Sequence, residues 1–428
     1  MIRLKWFVIL VALVFPVAAT AGALVLKADR LIDGVSDEPL LNVTLVVEDG
    51  SISAVGTGFK VPAGAEVIDL GDATLLPGFI DAHTHIMMDG LADYGEVLYR
   101  NSTPYRTIMA VASARRALGF GFTTLRDVGS EGAGYADIDV RRAVSAGLVP
   151  GPRLWVSTRA ISVPGRYFPF GYSWELDLPK GVQMVAGADE CLRAVRVQVA
   201  HGADWIKIYA DWPIEFTDDG QITGTPNFTQ EELTTIVEEA KRLGVPVAAH
   251  AMSREGIQAA LDAGVRSIEH GHGFTDKLIK QAKAQDVFWC PTLLASEHGL
   301  DSSEPDSQRA RFLTRLAAIQ YPALRRGHQL GVKIALGSDA GSYPWSLNPA
   351  REFELLVRKA GFTPMEAIRA GTSVAAELLG QSDRIGRLAP GMLADVVAAP
   401  GNPLEDVTVL QQPLLVMKDG EIFRHEKR

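Results

Sequence analysis

Five short fragments of this chain carry metal-ligand residue types, and each stands where an apolar run ends: Asp81-Ala-His83-Thr-His85, Lys207, His250, His270 and Asp339. The first follows Thr74-Leu-Leu-Pro-Gly-Phe-Ile, a run with the character of a buried strand. Side chains alternate along a strand, so His83 and His85 point to one side. Neutral imidazole is the commonest ligand for a borderline cation such as Zn²⁺, and two on one face make half a site. A chance His-x-His in a surface loop is the bland alternative, weakened by a total of only nine histidines.

Lys207 lies in Asp204-Trp-Ile-Lys-Ile-Tyr209-Ala, in the middle of an apolar strand. An ammonium facing a barrel interior is costly, so it must be neutralised, paired with Asp204 or Asp211, or chemically converted. Beside two cations, a deprotonated lysine can take up CO₂ to form a carbamate whose two oxygens reach both. His250 ends Val245-Pro-Val-Ala-Ala-His, and His270 ends Val265-Arg-Ser-Ile-Glu-His, followed by Gly271-His272. Alone, each reads as a satisfied strand-end histidine; on adjacent barrel strands the two reach a shared centre. His272 faces the same cavity as a substrate or oxyanion contact rather than a ligand.

Asp339 follows Ala335-Leu-Gly-Ser and precedes Ala-Gly, small residues that let the backbone approach closely. Its carboxylate can bind a metal and take a proton from water, or simply cap a helix N-terminus. Tyr209 shares the inward face of Lys207 and can donate to a developing oxyanion, or merely pack at the barrel mouth. The ordered set points to two-metal hydrolysis.

The elements that must position these residues alternate along the chain. Eight strand candidates are Phe79–His83, Thr123–Val128, Arg153–Thr158, Trp205–Ala210, Pro246–His250, Arg266–His270, Val287–Thr292 and Lys333–Gly337. Helical patterns such as Gln230–Leu243, after the Thr229 cap, and Arg254–Ala263 lie between them. The expected architecture is an α/β chain with a (β/α)₈ TIM barrel over residues 78–385, its chemistry at the carboxyl ends of the strands. Short alternating strands with Asp49-Gly50 and Asp419-Gly420 hairpin signals occupy the two ends. Residues 22–77 and 386–428 therefore read as one discontinuous β-sandwich domain.

Composition bounds the rest. With 428 residues and 47% hydrophobic content, the chain can bury a large core. Arg3 and Lys5, an apolar run from Trp6 to Phe15 and Ala19-Thr-Ala21 follow the order of a secretory signal peptide over residues 1–21. Its removal leaves 40 basic against 51 acidic residues, a net charge of −11. Nucleic acid is excluded as a partner by that balance, and an exported, periplasmic or secreted homo-oligomer without stable membrane association is expected. Cys191 and Cys290 are far apart in apolar segments and read as buried free thiols rather than a disulfide.

Taken together, Leu76-Pro-Gly-Phe-Ile-Asp-Ala-His83-Thr-His85, the four later strand-end positions and Gly391-Met-Leu-Ala-Asp-Val-Val resemble the amidohydrolase superfamily across almost the whole mature chain. The resemblance implies that His83, His85 and Asp339 bind a first divalent ion, with zinc the expected metal. It also implies that His250 and His270 bind a second, and that carboxylated Lys207 bridges the pair. Ile206-Lys-Ile-Tyr209, His250-Ala, Ile268-Glu-His270-Gly-His272 and Gly337-Ser-Asp339-Ala-Gly are most similar to the imidazolonepropionase-like and Xaa-Pro-dipeptidase-like branch. That branch includes ochratoxin-hydrolysing amidohydrolases, which cleave an amide joining an aromatic acyl group to phenylalanine. Relatives often carry Gly-His in the loop after the third strand, where this chain has Pro164-Gly-Arg-Tyr-Phe-Pro-Phe170.

The expected activity is hydrolysis of N-acyl amino acids or dipeptides, with Asp339 as general base and then general acid. Arg166 or Arg126 is expected to pair with a substrate carboxylate, and the aromatic loop from Tyr167 to Trp174 to cover an apolar group. Cyclic-amide hydrolysis of the imidazolone type is the competing enzymatic reading. A catalytically dead barrel that only binds ligands is the non-enzymatic one.

Overall fold

The computed structural model of the protein describes residues 22–90, 94–173 and 175–426. The expected signal peptide and Trp174 lie outside the described residues. The strand patterns at the two ends of the chain meet in one hydrogen-bonded sheet of eight strands. Leu24–Leu31 pairs with Leu40–Glu48, which turns back through Asp49-Gly50 into Ser51–Gly56. Val396–Pro400 joins the sheet by pairing with Ala73–Pro77, and carries Leu415–Lys418 and Glu421–His425 beyond it.

Both Asp-Gly signals form left-handed two-residue turns. Asp49 and Gly50 have φ of 48° and 76°, Asp419 and Gly420 of 50° and 81°, the combination that lets a tight turn follow strand twist. The two turns also touch, since a Cβ on Gly420 would lie 2.8 Å from the Gly50 Cα. Inward residues of this sheet, among them Leu26, Leu45, Leu75, Val396 and Met417, build a core of their own.

Between these ends run two parallel sheets. Phe79–Thr84, Phe122–Asp127 and Arg153–Val156 form one. Ile206–Tyr209, Val247–Ala251, Ser267–His270 and Phe288–Cys290 run consecutively in the other, with the short strands Ile161–Ser162 and Gln183–Met184 at its edge. Those short strands, and the hairpin Glu215–Phe216 with Ile222–Thr223, were not expected from the sequence.

The eighth expected strand forms no regular ladder. Ile334 makes a single parallel bridge to Trp289, and on the other side of the segment the Leu336 N–H is bound to the Ala370 carbonyl at 2.9 Å. The segment still joins the two sheets: Ala335 N–H donates to Trp289 O at 3.0 Å, and Ala82 N–H donates to Leu336 O at 2.9 Å. At the opposite junction Asp204 N–H reaches the Val156 carbonyl at 2.8 Å.

Helices cover the parallel strands for local reasons that the sequence states. Thr229 and Glu232 form a reciprocal capping box at the start of Gln230–Arg242. Leu233, Ile236, Val237 and Ala240 then bury one face at helical spacing. Helix Arg254–Ala263 begins at the Ser253 cap and ends at left-handed Gly264. Phe79 ties the parallel strands to helix Arg351–Ala360, its ring 5.7 Å from Phe122 and 4.9 Å from Phe353. Cys191 and Cys290 are free and buried. Among the described residues, no helix is long and apolar enough to cross a membrane.

One arginine fastens the terminal sheet to the parallel strands. Arg153 donates to Thr124 Oγ1 at 3.1 Å and Asp395 Oδ2 at 2.9 Å, and also pairs with Asp419. Asp395 is only 3% exposed, so removing its partner strands a buried charge. Arg153→Ala should therefore cost about 3 kcal/mol and lower the thermal midpoint, measured by calorimetry, whereas an unchanged midpoint would show that this pair does not hold the two parts together.

Candidate active site

Buried aspartates clamp the carboxyl ends of the parallel strands. Asp81 Oδ1 accepts from the backbone N–H of His83 at 3.1 Å and of Ser338 at 3.0 Å, locking the His83-Thr-His85 strand to the segment that carries Asp339. Asp127 Oδ1 accepts from Ile86 N–H at 2.8 Å. Asp211 accepts from the N–H groups of Met252 and Ser253 at 2.9 and 2.6 Å, fixing the turn after His250. Close backbone approach completes the assembly, because a Cβ on Gly341 would lie 2.1 Å from the His85 carbonyl oxygen.

The clamped ends are also strained. Glu131, His270, Thr292 and Asp339 have φ of 48°, 69°, 54° and 61°. Each costs free energy that only the surrounding bonds can hold, a pattern that collects at functional sites.

These constraints bring His83, His85 and Asp339 together, with donor atoms from all three within 4.8 Å of one another. Asp339 Oδ1 lies 3.6 Å from His83 Nε2 and 3.4 Å from His85 Nε2. Asp339 does not act as the helix cap that its sequence context also allowed. The His270 ring sits 4.9 Å from that of His83 and 4.6 Å from that of His250. Tyr209 lies 4.7 Å from the His250 ring, with the Lys207 ammonium 5.6 Å from the Tyr209 ring.

Neither alternative pairing of Lys207 is present. Asp204 is bound by Arg141, and Asp211 is occupied by the turn it clamps. At 1% exposure, Lys207 is drawn down to about 8 by burial. Neutral amine, the form that reacts with CO₂, is then present near neutral pH at roughly a tenth.

Burial, then the positive charge of Lys207, drives His83 and His250 well below the ordinary imidazole value; for His270 burial leads, followed by His250. All three are neutral and offer lone pairs. The Nε2 atoms of His83 and His250 are buried without hydrogen-bond partners. The opposite nitrogen of His83 meets Glu269 at 2.7 Å, and Nδ1 of His270 meets Thr292 Oγ1 at 2.8 Å. An imidazole oriented by one nitrogen with the other left bare is the arrangement of a metal ligand. The residues present fit divalent cations.

Arg126 requires a correction. It is fully buried and donates to Glu269 Oε1 at 2.8 Å, Ser267 Oγ at 3.0 Å and Ala82 O at 2.5 Å. Its guanidinium is consumed in orienting the carboxylate behind His83 and does not reach the cavity. Arg166, half-buried in its loop, does not line the cavity either. Sequence patterns missed Glu269 and Glu131; the signal for Glu269 was a carboxylate inside an apolar strand, adjacent to His270.

The cavity above these groups measures about 330 Å³. His85, His250, His270, His272, Asp339 and Tyr209 reach its wall, while His83 and Lys207 lie beneath. His272 has both ring nitrogens buried without partners, and burial pushes it down to about 3. It stands as a neutral imidazole on the cavity wall.

Glu131 accepts from the phenols of Tyr94 and Tyr167 at 2.6 and 2.7 Å, and Tyr167 meets Tyr209 at 3.2 Å. Burial and the charge of Glu131 push Tyr209 well above the ordinary phenol value, so it keeps its proton for donation. Burial raises Asp339 to about 6 against the opposing charges of His85 and Lys207. A carboxyl poised there can take up and return a proton near neutrality.

A histidine and aspartate set at the strand ends is the donor chemistry of a hydrolase site, and the chain belongs to the amidohydrolase family, whose pattern it matches over residues 74–423. It is a hydrolase of amide bonds, in a family that generally uses divalent ions. The chain is 33% identical to ochratoxinase of Aspergillus niger, with 94% of this chain and 87% of that protein covered. The crystal structure of a Xaa-Pro dipeptidase with methionine bound in its active site superposes with a TM-score of 0.84 at 32% identity, covering 94% of this chain and 100% of that one. Imidazolonepropionase of Salinispora tropica is 27% identical over 83% of this chain and 85% of its own.

The contact between Glu269 and His83 is open to a direct test. Glu269→Gln retains the shape but removes the charge that orients the imidazole. Affinity for divalent ions should fall about 10- to 100-fold in a titration against a competing chelator, with circular dichroism unchanged; unaltered affinity would remove Glu269 from the support of the site.

Proposed function

We propose that this enzyme is a binuclear metal-dependent amidase that cleaves N-acyl amino acids or dipeptides at the amide nitrogen of the terminal residue. The observation that carries the reading is the grouping of His83, His85 and Asp339 within 4.8 Å of one another, with the His270 ring beside His83 and the His250 ring beside His270, at an apolar cavity sized for a small molecule. His83, His85 and Asp339 would hold one ion, His250 and His270 the other, with carboxylated Lys207 between them. Zinc suits this nitrogen-rich set. Bound ions would supply Lewis acidity and lower the pKa of water.

The chain's own groups account for the remaining steps. Asp339 takes the proton from the attacking water as the carbon–oxygen bond forms at the scissile carbonyl. The phenol of Tyr209 turns from Tyr167 to donate to the carbonyl oxygen as negative charge develops there. As the carbon–nitrogen bond breaks, Asp339 returns its proton to the leaving amine, giving a carboxylic acid and an amino acid. His272 contacts substrate, and the walls around Phe168 and Trp212 accept its apolar part.

The proposal includes a closed (β/α)₈ barrel over residues 78–385 with a discontinuous β-domain from 22–77 and 386–428. It also includes export directed by residues 1–21 and assembly as a homo-oligomer. Likeness to ochratoxinase makes amides of phenylalanine the first substrates to assay, ochratoxin A among them. Comparing open N-acyl amino acids with cyclic amides separates this reading from imidazolone-type hydrolysis, and cyclic amides turned over in preference would reverse it.

Two substitutions probe the chemistry. Asp339→Asn can still offer an oxygen to a cation but cannot carry a proton, so kcat should drop about 10²- to 10⁴-fold with a smaller loss of metal; a near-normal kcat would exclude the proton shuttle. Lys207→Ala should lose bound metal and turnover together and recover part of both in a short carboxylic acid. Wild-type turnover in Lys207→Ala would contradict the carbamate.

A further inference from the structure

The helix Gln308–Leu330 carries five arginines, and four have partners. Arg311 donates to the Asp306 carbonyl and Arg325 to the Lys359 carbonyl. Arg315 stacks 3.9 Å over the Phe216 ring, and Arg326 pairs with Asp276 at 2.6 Å. Arg309 has no partner among the described residues, and it is the arginine that lines the active-site cavity.

Helix preference does not account for a cation at this position. Arg309 stands in the first turn, where the helix has no acidic residue and its dipole is positive, an unfavourable setting for a guanidinium. Space for it comes from the facing helix Leu293–Asp301, where a Cβ on Gly299 would lie 3.9 Å from Arg309 Nη2. Phe312, Leu313 and Leu316 follow Arg309 along the same cavity wall. The wall therefore combines one charged fork with an apolar surface, in the same cavity that His85, His250 and His270 line.

From this arrangement we infer that Arg309 is the residue that reads the free carboxylate of the substrate's terminal amino acid, with Phe312, Leu313 and Leu316 accepting its apolar or aromatic side chain. Guanidinium matches a carboxylate in two parallel hydrogen bonds, which selects a free acid over its amide. The assignment rests on the amidase reading and replaces Arg126 and Arg166, neither of which reaches the cavity. It makes the enzyme specific for amides whose amine component is an apolar α-amino acid with an unmodified carboxyl group.

Binding can be measured without turnover, on the enzyme as purified, by calorimetric titration with L-phenylalanine and L-phenylalaninamide. Both carry the same side chain and amine, so they differ only at the carboxyl group. Wild type should bind the acid about tenfold more tightly than the amide, a discount from a fully buried pair because Arg309 is exposed. Arg309→Met should erase that preference by weakening the acid alone, Arg309→Lys should retain part of it, and Arg311→Met should change neither ligand.

An acid preference that survives in Arg309→Met, or a wild type that binds the two alike or binds neither, overturns the assignment. Hydrolysis of N-acetyl-L-phenylalanine is scored separately. Arg309-dependent binding without hydrolysis would retire the amidase reading and leave the carboxylate site standing. Hydrolysis without Arg309-dependent binding would do the reverse.

Discussion

Lys207 is enclosed among neutral imidazoles at 1% exposure, and neither nearby aspartate on its own strand pairs with it. Burial in that setting disfavours the ammonium and brings the neutral, reactive amine within reach. Burial lowers its proton affinity to about 8 and suppresses protonation of His83, His250 and His270. Every one of these shifts moves a side chain toward the form that binds a cation.

Holding neutral donors this close requires a rigid frame. Asp81, Asp127 and Asp211 satisfy backbone N–H groups at the strand ends, and the Glu269–Arg126 pair supports His83 from behind. Positive φ at His270 and Asp339 is sustained by the same bonds: the Asp339 N–H reaches the His83 carbonyl at 2.7 Å, and the His270 carbonyl accepts from Trp289 Nε1 at 2.9 Å. Orientation of these side chains is therefore built into the frame, as a tightly defined functional site requires.

Much of this was legible because ligand chemistry and strand periodicity coincide. His83 and His85 lie two apart at the end of an apolar run, His250, His270 and Asp339 each follow another, and Lys207 interrupts one, so residue type and position carried the same message. Helix limits such as Thr229 and Gly264 were readable because capping is local. Long-range choices were not. Whether Arg126 faces Glu269 or the cavity depends on a contact with residue 269, and the eighth expected strand keeps a single bridge to Trp289, with its Leu336 N–H held by the distant Ala370 carbonyl. Arg309 sits in a polar stretch with no periodic signal, and only the packing of helix Gln308–Leu330 against Leu293–Asp301 turns it to the cavity.

The central claim, two cations held by this ligand set and required for amide cleavage, is tested most directly by elemental analysis of the purified protein alongside a chelator titration of its hydrolysis of N-acetyl-L-phenylalanine. The account predicts about two divalent ions per chain, from the six donor side chains and their bare nitrogens, and activity that disappears with them and returns when they are restored. At most one ion per chain, with hydrolysis persisting in chelator, would contradict it.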